Sequence, residues 1–292
     1  MCVLPRGRAP ALEEISLSSV AVSKLENFID ATVSRLFELN EMLAPLDHVK
    51  SVQRTHPEKG AEFVEIAGGL ALYGGEPSPL NQAVGMGLHG PVSVEEFDRF
   101  ETFYRDRSCP AQIVLSPYAD PSLLEFVRDR RYQLTEFNSV MVCRLDEFRE
   151  ASAPDGIRIE RVTPETARRW AEVLVEGFAE FGQLSPGLFE PYGLLPHGLN
   201  FLAYVDGEIA GGASGTIYSE HKLAAIFGAA TLPRFRRRGV QNALFQARLR
   251  EAKAAGCELA VVCTQPASGS QRNAERNGFR LAYTKVVLVK SW

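Results

Sequence analysis

The apolar positions of the first third of the chain predict one long helix followed by short strands. Residues 11–43 contain no Gly or Pro, and their apolar side chains recur at helical spacing, as in Leu25, Phe28 and Ile29. Pro45 is expected to end this helix, because proline cannot donate the amide hydrogen bond of a helix interior. Residues 63–66, 70–73 and 83–86 are apolar runs separated by Gly and Pro, a pattern typical of a strand meander.

Helices and strands alternate in the rest of the first half. Ser93 and Glu96 form a capping box just before an apolar helical pattern. The further predicted elements are a strand at 112–115, a short helix at 120–131 and a strand region at 134–145. Residues 150–156 have linker composition, so we expect two domains, 1–150 and 157–292.

The second half repeats this order of elements. Thr163 and Pro164 start a helix as N-cap and first helical residue. Residues 180–198 are rich in Gly, Pro and aromatics and predict a short helix with irregular loops. The remaining predictions are strands at 157–162, 201–205, 210–218, 223–231, 259–264 and 279–289, and helices at 243–255 and 270–277.

An offset of 147 residues (279 − 132) superposes the end of one half on the end of the other. Tyr132 then falls on Phe279, and the strand at Ile113 falls on Ala260 without a gap. Few residues are identical, but the order of elements and the apolar positions agree. We interpret this as two copies of one fold.

Composition limits the functional classes. The chain has 292 residues, 45% of them hydrophobic, and a net charge of −4, so a general nucleic-acid binder is not expected. No apolar run approaches the ~20 residues of a membrane span, and the first ten residues do not resemble a signal peptide. The five cysteines show no metal-binding spacing; we expect reduced thiols, no metal and a cytoplasmic protein.

A basic loop distinguishes the second copy. Arg234, Arg236, Arg237 and Arg238 fall within five positions just before a helix, where each cation is unfavourable by about 0.3–1 kcal/mol. An anion bound at the free N–H groups of the helix start would offset this cost. The first copy has no arginine at the equivalent loop, and Glu95 and Glu96 follow its cap. An anion site is therefore expected in the second half only.

The second half resembles the GNAT superfamily of N-acetyltransferases. Those proteins carry [QR]-x-x-G-x-[GA] between a strand and a helix, and here residues 236–241 read RRRGVQ, so Gln241 departs from the pattern. Residues 268–279 resemble the family's short helix that ends in Gly-Phe. The resemblance implies an α+β protein with two such folds in tandem, each a mixed, mostly antiparallel sheet flanked by helices, the first without a cofactor loop.

The resemblance also implies where acetyl-CoA binds. The pantetheine arm would pair with the backbone of Ala229, Ala230 and Thr231, in a cleft between the strands at 223–231 and 259–264. Candidate contacts for the pyrophosphate are the backbone groups of Arg236, Arg237, Arg238, Gly239, Val240 and Gln241. Ser270 and Asn273 are candidates near the thiol end.

The catalytic groups are less well specified. Acetyl transfer needs a neutral amine, a polarised thioester and protonation of the departing thiolate. Many family members use a tyrosine as that acid, but its position here is Ala274. Tyr283 is a substitute candidate, with an ordinary strand tyrosine as the alternative. Glu180 and Glu190 are candidate bases, with solvated loop carboxylates as the alternative.

These residues predict an acetyl-CoA-dependent N-acetyltransferase that acts directly on a small primary amine. The alternative is a non-catalytic acyl-CoA-binding or sensor module. Contact of the arginines with nucleic acid is disfavoured by the acidic balance, and no membrane partner is expected. A monomer or a homodimer is compatible with the sequence.

Overall fold

A computed structural model describes residues 31–75, 78–151, 154–182 and 184–292. The helices in this part of the chain are α1 (Ala31–Thr55), α2 (Val94–Arg105), α3 (Pro121–Asp129), α4 (Ala167–Gly177), α5 (Pro186–Gly193), α6 (Val240–Ala254) and α7 (Gly269–Arg276). The strands are β1 (Glu62–Ile66), β2 (Gly69–Tyr73), β3 (Gln82–Val84), β4 (Ala111–Leu115), β5 (Gln133–Arg144), β6 (Ile157–Arg161), β7 (Phe201–Val205), β8 (Glu208–Tyr218), β9 (Leu223–Thr231), β10 (Leu259–Thr264) and β11 (Arg280–Lys290).

Helix α1 corrects the prediction at Pro45. The helix continues through Pro45 to Thr55, because the turns that follow bury Leu46, Val49 and Val52 in an apolar cluster with β2 and β3. This burial outweighs the loss of one amide hydrogen bond. The predicted helical residues before Ala31 lie outside the described part of the chain.

The described strands form one mixed, mostly antiparallel sheet. Its order is β1-β2-β3-β4-β11-β5-β10-β9-β8-β7-β6. Within the described residues, the β3–β4 and β9–β10 pairs are parallel and the other neighbours are antiparallel. A parallel neighbour requires a crossover connection, which contains α2 in one half and α6 in the other.

The last strand of each half lies in the other half's part of the sheet. β5 pairs with β10 of the second half, and β11 pairs with β4 of the first. The two exchanged strands also pair with each other at the centre. Their starts differ by 147 residues (280 − 133), the same offset as the sequence repeat. The sheet is therefore continuous across the sequence boundary.

The helices that position the candidate site come from both halves. α6 packs on β8 and β9, and α4 packs on the same two strands. Trp170 of α4 is fully buried, and its indole N–H donates to the Ala213 carbonyl at 3.2 Å. α1, from the first half, contacts β9 and α5 of the second. The first half thus covers part of the surface next to β9.

Candidate functional site

Strands β9 and β10 pair over part of their length and then separate. Their parallel register runs from Leu223–Leu259 to Ile226–Val262. β9 continues to Thr231, paired on its other side with β8. No described strand therefore pairs with this edge of β9 from Phe227 onward, and the backbone groups there can pair with an extended ligand.

A bulge in β9 lies at the point of separation. Ser214 pairs with Phe227 and Gly212 pairs with Ala230, so β9 has one more residue than β8 between these pairs. Gly228 occupies the bulge with φ of +51°, in the left-handed region that glycine adopts without a Cβ penalty. A glycine within an apolar strand pattern is the sequence signal for such a bulge.

The gap between β9 and β10 opens into a cleft of about 640 Å³, within the usual size range of ligand sites. Eight predicted cofactor residues line it: Ala229, Ala230, Thr231, Arg236, Arg237, Gln241, Ser270 and Asn273. Gly239 and Val240 line an adjoining pocket of about 480 Å³, which shares five residues with the cleft: Thr231, Arg236, Arg237, Gln241 and Asn273. The fold thus brings together residues from β9, α6 and α7.

The start of helix α6 lacks a side-chain cap. Gly239 is the N-cap residue, with φ of +89°, and no side-chain hydrogen bond caps the helix there. In α2, by contrast, Ser93 and Glu96 form the predicted capping box. The first N–H groups of α6 are thus available to an anion, whereas the start of α2 already has its own acceptors.

The four arginines of the basic loop have different surroundings. Arg236 forms an ion pair with Glu180 at 2.8 Å, and both line the cleft. Arg237 lines the cleft with φ of +64° and has no ion-pair partner among the described residues. The Arg238 side chain instead pairs with Asp206 at 2.7 Å and is absent from the cleft wall. The predicted contact of Arg238 is made by its backbone N–H group, which the side-chain ion pair with Asp206 does not test, so it stays a prediction.

The cleft wall carries more positive than negative charge. Arg236, Arg237 and Arg248 line it with one carboxylate, Glu180. The buried Thr231 hydroxyl oxygen has no hydrogen-bond partner among the described residues. A positive wall, an uncapped helix start and an unsatisfied hydroxyl suit an anionic ligand that also has polar groups along its length.

Two of the three catalytic candidates do not reach the cleft wall. Tyr283 is buried beneath α1, where its hydroxyl donates to Glu38 Oε1 at 2.7 Å. Burial, with the nearby Glu38 carboxylate, raises the pKa of Tyr283, and its proton is held away from the cleft. Glu190 lies on α5 and is also outside the lining. Glu180 remains at the cleft, held by Arg236.

Sequence reasoning missed two features of the wall. Arg248 of α6 lines the cleft and is fully buried. Its position four residues after Leu244 predicts burial on the same helix face. The spacing does not predict that no described carboxylate pairs with it. On the α1 side, the Cys263 thiol donates to Glu41 Oε2 at 3.2 Å, and Lys285 Nζ donates to the same oxygen at 3.1 Å. Burial raises the pKa of Cys263, which argues against a nucleophilic thiolate.

Comparison with protein families identifies this segment. The model of the acetyltransferase (GNAT) family matches residues 167–279, a range that contains every residue of the cleft wall. This segment is a GNAT-family domain. The GNAT family uses acyl-CoA, so the family match indicates an acyltransferase domain. No curated protein sequence matches the chain significantly.

Solved structures share the fold over most of the chain. A GCN5-related N-acetyltransferase from Kribbella flavida has a TM-score of 0.62 at 16% identity, over 84% of this chain and 95% of that one. One from Sphaerobacter thermophilus has a TM-score of 0.54 at 19% identity, over 72% and 71%. A tandem GNAT protein from the clavulanic acid biosynthesis pathway has a TM-score of 0.57 at 13% identity, over 92% and 91%. The last is consistent with a GNAT-like fold in both halves.

Two properties of the described residues concern metal sites and membrane spans. No group of three or more His, Cys, Asp or Glu side chains in this part of the chain could hold a metal ion. None of the described helices combines the length and apolar character needed to cross a membrane.

Proposed function

We propose that the protein is an acetyl-CoA-dependent N-acetyltransferase that acts on a primary amine of a small acceptor. The observation that carries this proposal is the positively charged cleft at the uncapped start of α6, within the GNAT domain. Its size and charge fit a long ligand with a phosphate group near one end.

The residues of the wall fit acetyl-CoA in order along the cleft. The N–H groups at the start of α6, with Arg236 and Arg237, would hold the pyrophosphate. The free edge of β9 at Ala229 and Ala230 would pair with the amide groups of the pantetheine arm. The unsatisfied Thr231 hydroxyl lies between these two regions in the chain and lines the same cleft.

The chemistry is direct transfer to the amine. The amine nitrogen attacks the thioester carbonyl carbon, and the carbon–sulfur bond breaks to give an amide and CoA. Glu180 is the carboxylate of the cleft wall, and its ion pair with Arg236 holds it near the start of α6; it is our candidate to accept the proton of the amine through a chain of water molecules.

An acyl-CoA-binding module without turnover is the second candidate. Two observations favour it: Ala274 replaces the family's tyrosine, and Tyr283 is held by Glu38 away from the cleft. Such a module would bind acetyl-CoA but release no CoA in the presence of amines.

Release of free thiol separates the two candidates. The protein is incubated with acetyl-CoA and a panel of small primary amines, and CoA is measured with a thiol-specific reagent. The proposal predicts amine-dependent release that Arg236→Glu/Arg237→Glu reduces strongly. Binding of acetyl-CoA without release for any amine would support the binding module instead.

A further inference from the structure

Arg248 is a fully buried cation that holds the bulge of β9. Its Nε donates to the Leu244 carbonyl at 3.0 Å, within helix α6. Its Nη1 donates to the carbonyls of Ser214 and Phe227 at 2.8 and 3.2 Å. Ser214 and Phe227 are the pair next to the bulge at Gly228. The guanidinium group therefore lies against the backbone where β9 leaves β10.

The charge of Arg248 has no counter-ion in the described part of the chain. No carboxylate forms an ion pair with it among the described residues, and its Nη2 is buried without a hydrogen-bond acceptor. Burial lowers the pKa of Arg248 to about 9, so the group remains protonated at neutral pH. The Phe245 ring, with its centroid 4.7 Å from Cζ, offsets the charge only partly.

A buried cation without an anion is costly, and a bound anion would remove that cost. Arg248 belongs to the cleft wall, so a ligand in the cleft can supply the missing charge. Within one half of the molecule, then, the cleft holds two cationic regions: the basic loop at the start of α6, and Arg248 farther along the same helix.

The position of Arg248 indicates which part of the ligand it meets. Gln241, Phe245 and Arg248 follow one face of α6 and line the cleft in succession, and seven residues of helix span about 10 Å. If the pyrophosphate bound at the helix start and the pantetheine arm along Ala229 to Thr231, the thiol end would lie toward Phe227, whose carbonyl accepts a hydrogen bond from Arg248.

We propose that Arg248 stabilises the thiolate of CoA when the carbon–sulfur bond breaks, an inference that rests on the proposed function. The electron pair of that bond goes to sulfur, and the negative charge formed there faces the guanidinium group. The proton lost from the amine goes to a base and then to bulk water. The thiolate takes up a proton from water when CoA leaves, so no acid is required at the position of Ala274.

This role compensates for the departure at Ala274, the position where many family members have a tyrosine. Ala274 cannot protonate sulfur, and the Tyr283 hydroxyl donates a hydrogen bond to Glu38 away from the cleft wall. A permanent cation at the inner end of the cleft lowers the energy of the leaving group without transferring a proton. It also disfavours a protonated amine there, so the acceptor is expected to react in its neutral form.

The test is the pKa of the thiol of bound CoA, which does not depend on turnover. The ultraviolet absorbance of the thiolate is followed in a pH titration of the CoA complex, with the complex of desulfo-CoA as the blank that cancels protein thiols. For the wild-type protein we expect a thiol pKa lower than that of free CoA by about one to three pH units, the effect of a nearby opposite charge.

Two substitutions of Arg248 distinguish the effect of its charge on the thiol pKa from the effect of its size. Arg248→Lys keeps the cation and loses part of the contact with the bulge; Arg248→Met keeps the approximate length and loses the charge. We expect Arg248→Lys to retain most of the lowered thiol pKa, and Arg248→Met to return it to the value of free CoA. Thermal melting and affinity for desulfo-CoA show whether each variant keeps the fold and the cleft.

A wild-type complex whose thiol pKa equals that of free CoA would overturn the inference, whichever variants fold. So would an equally lowered pKa in Arg248→Met. A wild-type protein that binds neither CoA nor desulfo-CoA would instead contradict the proposed function itself.

Discussion

Individual residues of the cleft differ in how far the sequence could predict them. The family pattern placed Arg236 and Arg237 near the start of α6, and both line the cleft. The same pattern included Arg238, whose side chain pairs with Asp206 in a hairpin turn distant in sequence. Arg248 could be predicted as buried from helical spacing. That no described carboxylate pairs with it became apparent only from the packing of α6 on two strands.

His48 is a buried residue between the two halves and makes stability depend on pH. It lies on α1, and its Nε2 donates to the Leu188 carbonyl of the second half at 2.8 Å. Burial lowers the pKa of His48 to about 4. Between this value and its ordinary value of 6.5, the unfolded chain binds a proton that the folded protein does not. Lowering the pH through this window therefore favours unfolding.

The predicted effect of His48 is a loss of about 2 kcal/mol in the free energy of unfolding between neutral pH and pH 5. His48→Gln keeps a side-chain N–H for the Leu188 carbonyl but does not titrate. Urea unfolding of both proteins at the two pH values measures the difference. We expect a smaller acid-induced loss in His48→Gln; equal losses would show that His48 does not titrate in this window.

Helices α2 and α6 show how equivalent elements diverge. Each lies in the crossover between two parallel strands of its half. α2 has a complete capping box and acidic residues in its first turn, whereas α6 begins at Gly239 with neither. The capping box predicted the start of α2 correctly, whereas the helix predicted at 243–255 begins three residues earlier, at Val240. The bulge in β9 and the end of β9–β10 pairing depend on neighbouring strands, and only the resemblance implied the gap.

Substitution of Gly239 tests the start of α6. A Cβ at Gly239 would lie 2.8 Å from Pro154 Cγ, at φ of +89°. Gly207 is the matched control, because its φ is +86° but its Cβ would meet nothing within 4 Å. Both Gly→Ala variants should lose about 1–2 kcal/mol of stability from backbone strain, with the greater loss in Gly239→Ala.

The two variants should differ more in cofactor binding. Displacing the loop at Gly239 moves the N–H groups that would face the pyrophosphate, so calorimetry should give a lower affinity for acetyl-CoA in Gly239→Ala alone. Equal affinities in the two variants would place the phosphate site elsewhere.

The whole molecule is organised by the exchange of its last strands. The sequence repeat predicted two similar folds with a boundary near residue 150. It did not predict that β5 and β11 cross into the opposite parts of the sheet. β5 and β11 are related by the 147-residue offset of the repeat and have similar apolar spacing. Either strand therefore fits the hydrophobic pattern of either place in the sheet. The choice between them depends on pairing across the whole sheet, which local patterns do not specify.

Strand exchange predicts that the second half does not fold by itself. In a fragment of residues 157–292, β10 would lose its partner β5, and β11 would lose both of its neighbours. Unpaired strands and exposed apolar faces favour aggregation. Circular dichroism and size-exclusion chromatography should show a disordered or aggregated fragment, and co-expression with residues 1–150 should restore a compact complex. A monomeric fragment that unfolds cooperatively would contradict this prediction.

Binding of acetyl-CoA at the start of α6 is measured most directly by isothermal titration calorimetry of the wild-type protein and two arginine variants. We expect one site per chain. Arg237→Gln should weaken binding by about tenfold through loss of a charged contact. Arg234→Gln should bind as the wild type does, since Arg234 pairs with Glu208 and is absent from the cleft wall. No binding at millimolar acetyl-CoA, or the same affinity in all three proteins, would contradict the proposed site.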